Sequence, residues 1–133
     1  MAHDEMFDRD DPMLALIRGI ALGLPGAAEK ISHGRPAFYT KKVFAYYGGS
    51  VRRGDGDWVQ HPHSVMVLLD ADERAAYLDD PRAFVPAYLG PSGWLGIDLM
   101  STGDLEEVTE LIDSSFRNTA PGRLITDLDT YPS

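Results

Sequence analysis

Cysteine is absent from the 133-residue chain. Its absence excludes disulfides, a thiol nucleophile, zinc–thiolate sites and iron–sulfur ligation, and fits a reducing compartment. No apolar run approaches the roughly 20 residues of a membrane span. The opening Met1-Ala2-His3-Asp4-Glu5 is acidic where a secretory leader is basic. The cytoplasm is therefore the expected location, with no membrane partner. Positive charge is scarce as well: 12 Lys and Arg stand against 21 Asp and Glu, a formal charge of −9. That balance argues against indiscriminate nucleic-acid binding. Gly54-Asp55-Gly56 lacks the lysine of a phosphate-binding loop, and there is no Gly-x-Ser-x-Gly elbow.

What is present is an ordinary globular composition, 44% hydrophobic and 25% charged. One domain is expected over residues 11–125, between a loose acidic tail at 1–10 and a second tail at 126–133. The few cations are unevenly placed. Lys30, Arg35, Lys41, Lys42, Arg52 and Arg53 follow one another without an intervening acid, and these six set against −9 leave −15 on the remainder.

Asp11 and Pro12 predict a helix start, and Met13, Leu16, Ile17, Ile20, Ala21 and Leu24 recur at helical spacing, giving a helix over about 12–23. Residues 35–39 and 43–47 read as a hairpin joined by Thr40-Lys41-Lys42. A long glycine-rich loop is expected from Gly48 to Asp57. Ser64 to Leu69 forms an apolar strand, and Asp70 with Glu73 marks a short helix. Phe84 to Leu89 reads as extended. Asp104 and Glu107 predict a capping box for a last helix over 104–119, with Leu105, Val108, Ile112 and Phe116 on its apolar face and Glu106, Glu107, Glu110 and Asp113 solvated.

Residues 91–99 hold this plan together. Leu95, Ile97 and Leu99 alternate with Trp94, Gly96 and Asp98, so a strand with one aliphatic face and one distinct face is expected. The resulting fold class is α+β, a two-layer sandwich of order α-β(3)-α-β(2)-α with an antiparallel sheet and the helices mainly on one face. Its predicted core comprises Leu16, Ile20, Val67, Leu95, Ile97, Leu105, Val108, Ile112 and Phe116. The sheet's other face, left open, is the candidate working surface.

Gly34-Arg35-Pro36-Ala37-Phe38, Lys42-Val43-Phe44-Ala45, the Gly54-Asp55-Gly56 loop, Pro86-Ala87-Tyr88-Leu89-Gly90-Pro91-Ser92-Gly93-Trp94-Leu95-Gly96 and Ala120-Pro121-Gly122-Arg123-Leu124 together resemble the MmcQ/YjbR family over about residues 12–125. The resemblance implies a YjbR-like, CyaY-like fold. Members are often labelled DNA-binding, and the family brings no catalytic residue set to transfer.

Two functional classes follow. In the first, a non-enzymatic binding protein uses Arg35, Lys41, Lys42, Arg52 and Arg53 to hold phosphates, with Trp94 and Tyr46 stacking bases on the open face; its partner is nucleic acid, or else a protein or small ligand. In the second, a small-ligand-binding protein or an enzyme of unrecognised type uses a pocket around Trp94. No catalytic residue is assigned. His61-Pro62-His63 puts two imidazoles on one side of an extended segment, with a third ligand to come from His33, His3 or an acid; the expectation is no metal and no organic cofactor. The geometry around Trp94 discriminates the classes: a deep pocket favours a small ligand, a shallow basic surface favours nucleic acid.

Overall fold

A computed structural model describes residues 6–54, 56–99 and 104–130. Helix α1 (Pro12–Leu22) starts where expected: the Asp11 carboxylate accepts the Met13 N–H and Pro12 occupies the first turn. Strands β1 (Ala28–Ser32) and β2 (Arg35–Tyr39) follow, then β3 (Val43–Arg52) and β4 (Trp58–Leu68). Helix α2 (Ala71–Leu78) is capped by Asp70, whose side chain accepts the Glu73 N–H. The two-residue β5 (Ala83–Phe84), a short 3-10 turn and β6 (Trp94–Asp98) lead to α3 (Leu105–Thr119) and α4 (Gly122–Thr130).

All six strands form one sheet in the order β1-β2-β3-β4-β6-β5, every pair antiparallel. One face carries the main core. Leu14, Ile17 and Ala21 of α1, Val108, Leu111, Ile112 and Phe116 of α3, and Leu124 of α4 pack there on Phe38, Phe44, Tyr47, Val65, Val67, Leu95 and Ile97. The Ser115 hydroxyl stitches α3 to the sheet, donating to the Phe44 carbonyl and accepting the Leu68 N–H at 2.8 Å. The α+β class and antiparallel sheet are as expected.

Several details differ from the reading of the sequence. Strand β1 is an additional edge strand, closed onto β2 by His33 and Gly34, both at positive φ as a tight two-residue hairpin requires. The expected glycine-rich loop is mostly sheet: β3 runs on to Arg52 and β4 begins at Trp58. The extended segment expected over 84–89 ends at Phe84, because Tyr88 adopts φ 65° and the chain folds back. The tail expected from 126 is helical through Thr130. The loose amino-terminal tail is docked from Met6, whose N–H reaches the Gly34 carbonyl at 2.7 Å; its first five residues lie outside the described set.

Leu16 is not core. It is 37% exposed, while Leu14 takes the buried position, because the apolar stripe of α1 is wider than the line that meets the sheet. Ile20 and Leu105 are half-buried. Asp104 makes no side-chain cap: its backbone is already helical, at φ −82° and ψ −3°, and its carboxylate lies 3.5 Å from Arg82, while Glu107, its expected capping-box partner, meets Arg82 at 2.6 Å and accepts the Tyr77 hydroxyl at 2.9 Å.

Candidate functional site

The face away from the helices is built by the alternate residues of the same strands. Its floor is a small second core of Met66, Phe84 and Trp94, supported by Val43, Tyr46, Val51, Leu68 and Leu89. Glycines set its shape. A Cβ on Gly96 would run into the Phe84 ring, and one on Gly49 would lie 3.0 Å from it, so Phe84 wedges down against β3 and β6. His61 stacks on the outside of that ring at 3.9 Å and 13°, with Nδ1 2.9 Å from Asp98.

Beside this floor lies a cavity of about 590 Å³ walled by Tyr46, Trp58, Met66, Pro86, Tyr88 and Leu89, with Ser32, His33, Arg35, Ser50 and Gln60 as its polar residues. The β3–β4 hairpin forms one side. Its register shifts between Tyr47 and Gly49, a bulge that turns the outer half of the hairpin relative to the inner half. The segment after β5 forms the other, pinned by the Ala87 N–H on the Ser50 carbonyl at 2.9 Å. That segment holds Tyr88 in a left-handed conformation rare for a bulky residue, 77% exposed, with its ring 5.9 Å from that of Trp58.

Arg35 is the cavity's one Lys or Arg and is only 6% exposed. Its Nη2 donates to Gln60 Oε1 at 2.5 Å and Ser50 Oγ at 3.4 Å, and Nη1 reaches the Met6 carbonyl at 3.5 Å. Gly48, at φ 86°, makes the room: a Cβ there would overlap the guanidinium. Burial draws the Arg35 pKa below the ordinary arginine value and pushes the Tyr46 phenol above its own. Among the described residues no carboxylate lies within ion-pair distance of Arg35. Arg18, Arg82 and Arg117, by contrast, each meet one or more.

The seven residues singled out in the sequence do not form one site. Arg35 and Tyr46 line the cavity. Trp94 faces away from the helices as expected but is 8% exposed; it packs edge-on to Tyr46 at 5.3 Å and lies beneath the cavity wall. Arg52 sits on the rim with its guanidinium carbon 5.8 Å from the Trp58 ring centroid, and Arg53 is exposed in the next turn. Lys41 and Lys42 are exposed in the β2–β3 turn, at the other end of the ten-residue β3. At strand rise that end lies about 30 Å away. Trp58, Gln60, Met66 and Tyr88 were missed. The signal for Trp58 was its place opposite Arg52 across a tight turn, hidden while residues 48–57 were read as loop.

The paired imidazoles also separate. His61 joins Phe84 and Asp98, whereas His63 lies on the helix side, its Nδ1 3.1 Å from Asp11, whose carboxylate also accepts the Tyr47 hydroxyl at 2.5 Å. Burial works to raise the Asp11 pKa, but the Tyr47 hydroxyl, the Met13 N–H and His63 together hold it below its ordinary value. The cluster anchors the start of α1 to β3 and β4. No group of three possible metal ligands occurs among the described residues.

Helices over one face of an antiparallel sheet and an aromatic-walled cavity on the other define a two-layer α+β domain with a site of small-molecule size. The chain belongs to the YjbR family, whose model matches residues 22–118 and so takes in every cavity residue except Met6. No curated protein matches the chain.

Proposed function

We propose that this YjbR-family protein binds a small organic molecule in the cavity beside Tyr46, Trp58 and Tyr88. The supporting observation is the cavity itself: about 590 Å³, predominantly apolar, with a few convergent polar groups, between the β3–β4 hairpin and the segment after β5. Exposed aromatic rings that are not packed into either core need a reason, and a ligand supplies one.

Nucleic-acid binding is the second reading. It draws on Arg52 over Trp58, a cation beside an exposed ring, with Arg53 following. The division of the cations between two ends of β3 counts against it, because a tracked phosphate backbone needs a continuous basic surface.

A fragment library titrated into the protein and read by NMR tests the first reading against the second. Fragments should shift the Trp58 indole signal, and Trp58→Ala should weaken the best of them by about tenfold or more, the scale of one lost aromatic contact. Reversing Lys41 and Lys42 to Glu should leave that binding unchanged. Silent cavity signals, together with oligonucleotide binding that is steeply salt-dependent and lost on the double reversal, would favour the second reading.

A further inference from the structure

We propose that the cavity takes a planar, apolar monocarboxylate, its carboxylate against the Arg35 guanidinium and its body among Tyr46, Trp58 and Tyr88. The inference rests on the cavity being a ligand site and adds the charge and shape of what fills it.

The argument begins with two buried charges on opposite faces of one sheet. Asp11 and Arg35 are the charged side chains buried among the described residues. Asp11 is well satisfied, by the Tyr47 hydroxyl, the Met13 N–H and His63. Among the described residues Arg35 is bonded only to neutral oxygens, two of its three contacts being 3.4 Å or longer. Taking a guanidinium out of water without an anion is unfavourable, and such charges are ordinarily paired. Gly48, at positive φ, holds open the space the guanidinium occupies, so the buried position is built into the backbone.

Among the described residues the guanidinium has no anionic partner, and an anion delivered from outside would supply one. With Nη2 committed to Gln60 and Ser50, and Nη1 making only the long contact to Met6, Nη1 keeps a donor for one oxygen of an anion such as a carboxylate, and a second oxygen is free to displace one of the neutral acceptors on Nη2. Among the described residues the cavity lining contains one imidazole, His33, and no second Lys or Arg. A phosphate ester, carrying close to two negative charges, would leave part of that charge uncompensated among apolar walls. The walls set the rest of the ligand. Trp58 and Tyr88 are inclined by 39° at 5.9 Å, and Tyr46 is fixed edge-on by Trp94, so the rings present flat surfaces suited to a planar body.

The test uses the full chain and matched probes: benzoate, naphthoate and indole-carboxylate, each beside its primary amide, together with naphthyl phosphate. NMR titration should show at least one acid shifting the Trp58 and Tyr46 signals and binding about tenfold or more tighter than its amide, as a charge-assisted pair in a low-dielectric site requires. Arg35→Met should erase that preference while leaving amide binding in place, and it should melt at or above the wild-type temperature. Acid and amide binding equally to the wild-type protein would overturn the inference without touching the cavity as a ligand site. So would a preference for naphthyl phosphate, or discrimination that persists in Arg35→Met. Cavity signals indifferent to every probe would overturn both the site and the inference. The wild-type comparison of acid with amide decides even if Arg35→Met does not fold.

Discussion

Gly96 shows how one missing side chain shapes the sheet face away from the helices. Its neighbours Trp94 and Asp98 were legible as sharing a face, because strand alternation is a property of the backbone. What the glycine leaves room for was not. Read in sequence, the space suits a ligand; in the folded chain Phe84, 12 residues upstream, fills it and Trp94 becomes floor. Alternation assigns a side but not the cover that tertiary structure adds, so the sequence pattern points to Trp94 rather than Trp58. Gly96→Ala should force Phe84 toward Met66 and cost about 1–3 kcal/mol, as overpacking does. Chemical denaturation measures this, and an unchanged midpoint would mean that Phe84 does not depend on that space. Arg35 was legible as a candidate but not as a buried one. Its burial depends on Gly48 and on a register shift between β3 and β4 that no local pattern announces.

Elements with strong periodicity were the ones the sequence revealed. Helices α1 and α3 and strand β6 lie close to where their apolar patterns put them, since each buries a continuous stripe or face. Strand β1 escaped notice because it is an edge strand with only partial burial and mixed polarity, Ala28-Glu29-Lys30-Ile31-Ser32. Helix α4 escaped because Pro121-Gly122 was read only as a stop. It both ends α3 and starts α4, whose Leu124, Ile125 and Leu128 return to the main core. Leu124 packs closely enough over Gly26 that a Cβ there would lie 2.9 Å from its Cδ1. Leu124→Ala should therefore cost about 2–5 kcal/mol, the range for truncating a buried leucine. A denaturation midpoint equal to wild type would show that α4 contributes nothing to the core.

Across the whole molecule, ion pairs and buried hydroxyls fix the pH range of stability. Arg82 hydrogen-bonds Asp80 and lowers its pKa to about 2, and also holds Glu107 below its ordinary value. These carboxyls, with Asp11, titrate lower in the folded chain than in the unfolded one, where values are about 3.9–4.3. Their contribution is thus present above about pH 5 and is lost as pH falls through 4 toward 2. Tyr77 moves the other way: burial first, then Glu107, pushes its phenol up to about 12, and burial with Asp11 raises Tyr47 further. The unfolded phenols ionise near 10, so stability should decline as pH rises past about that value. Melting temperature against pH should show a plateau between these limbs, and Tyr77→Phe should soften the alkaline one. An alkaline limb identical in that variant would contradict the assignment. The small-molecule site we propose on the sheet face away from the helices, anchored by Arg35, can be seen directly in a crystal structure of the chain grown with naphthoate. The carboxylate should lie on the Arg35 guanidinium and the ring against Trp58 and Tyr88. An empty cavity with naphthoate bound instead at the Lys41–Lys42 turn would contradict it.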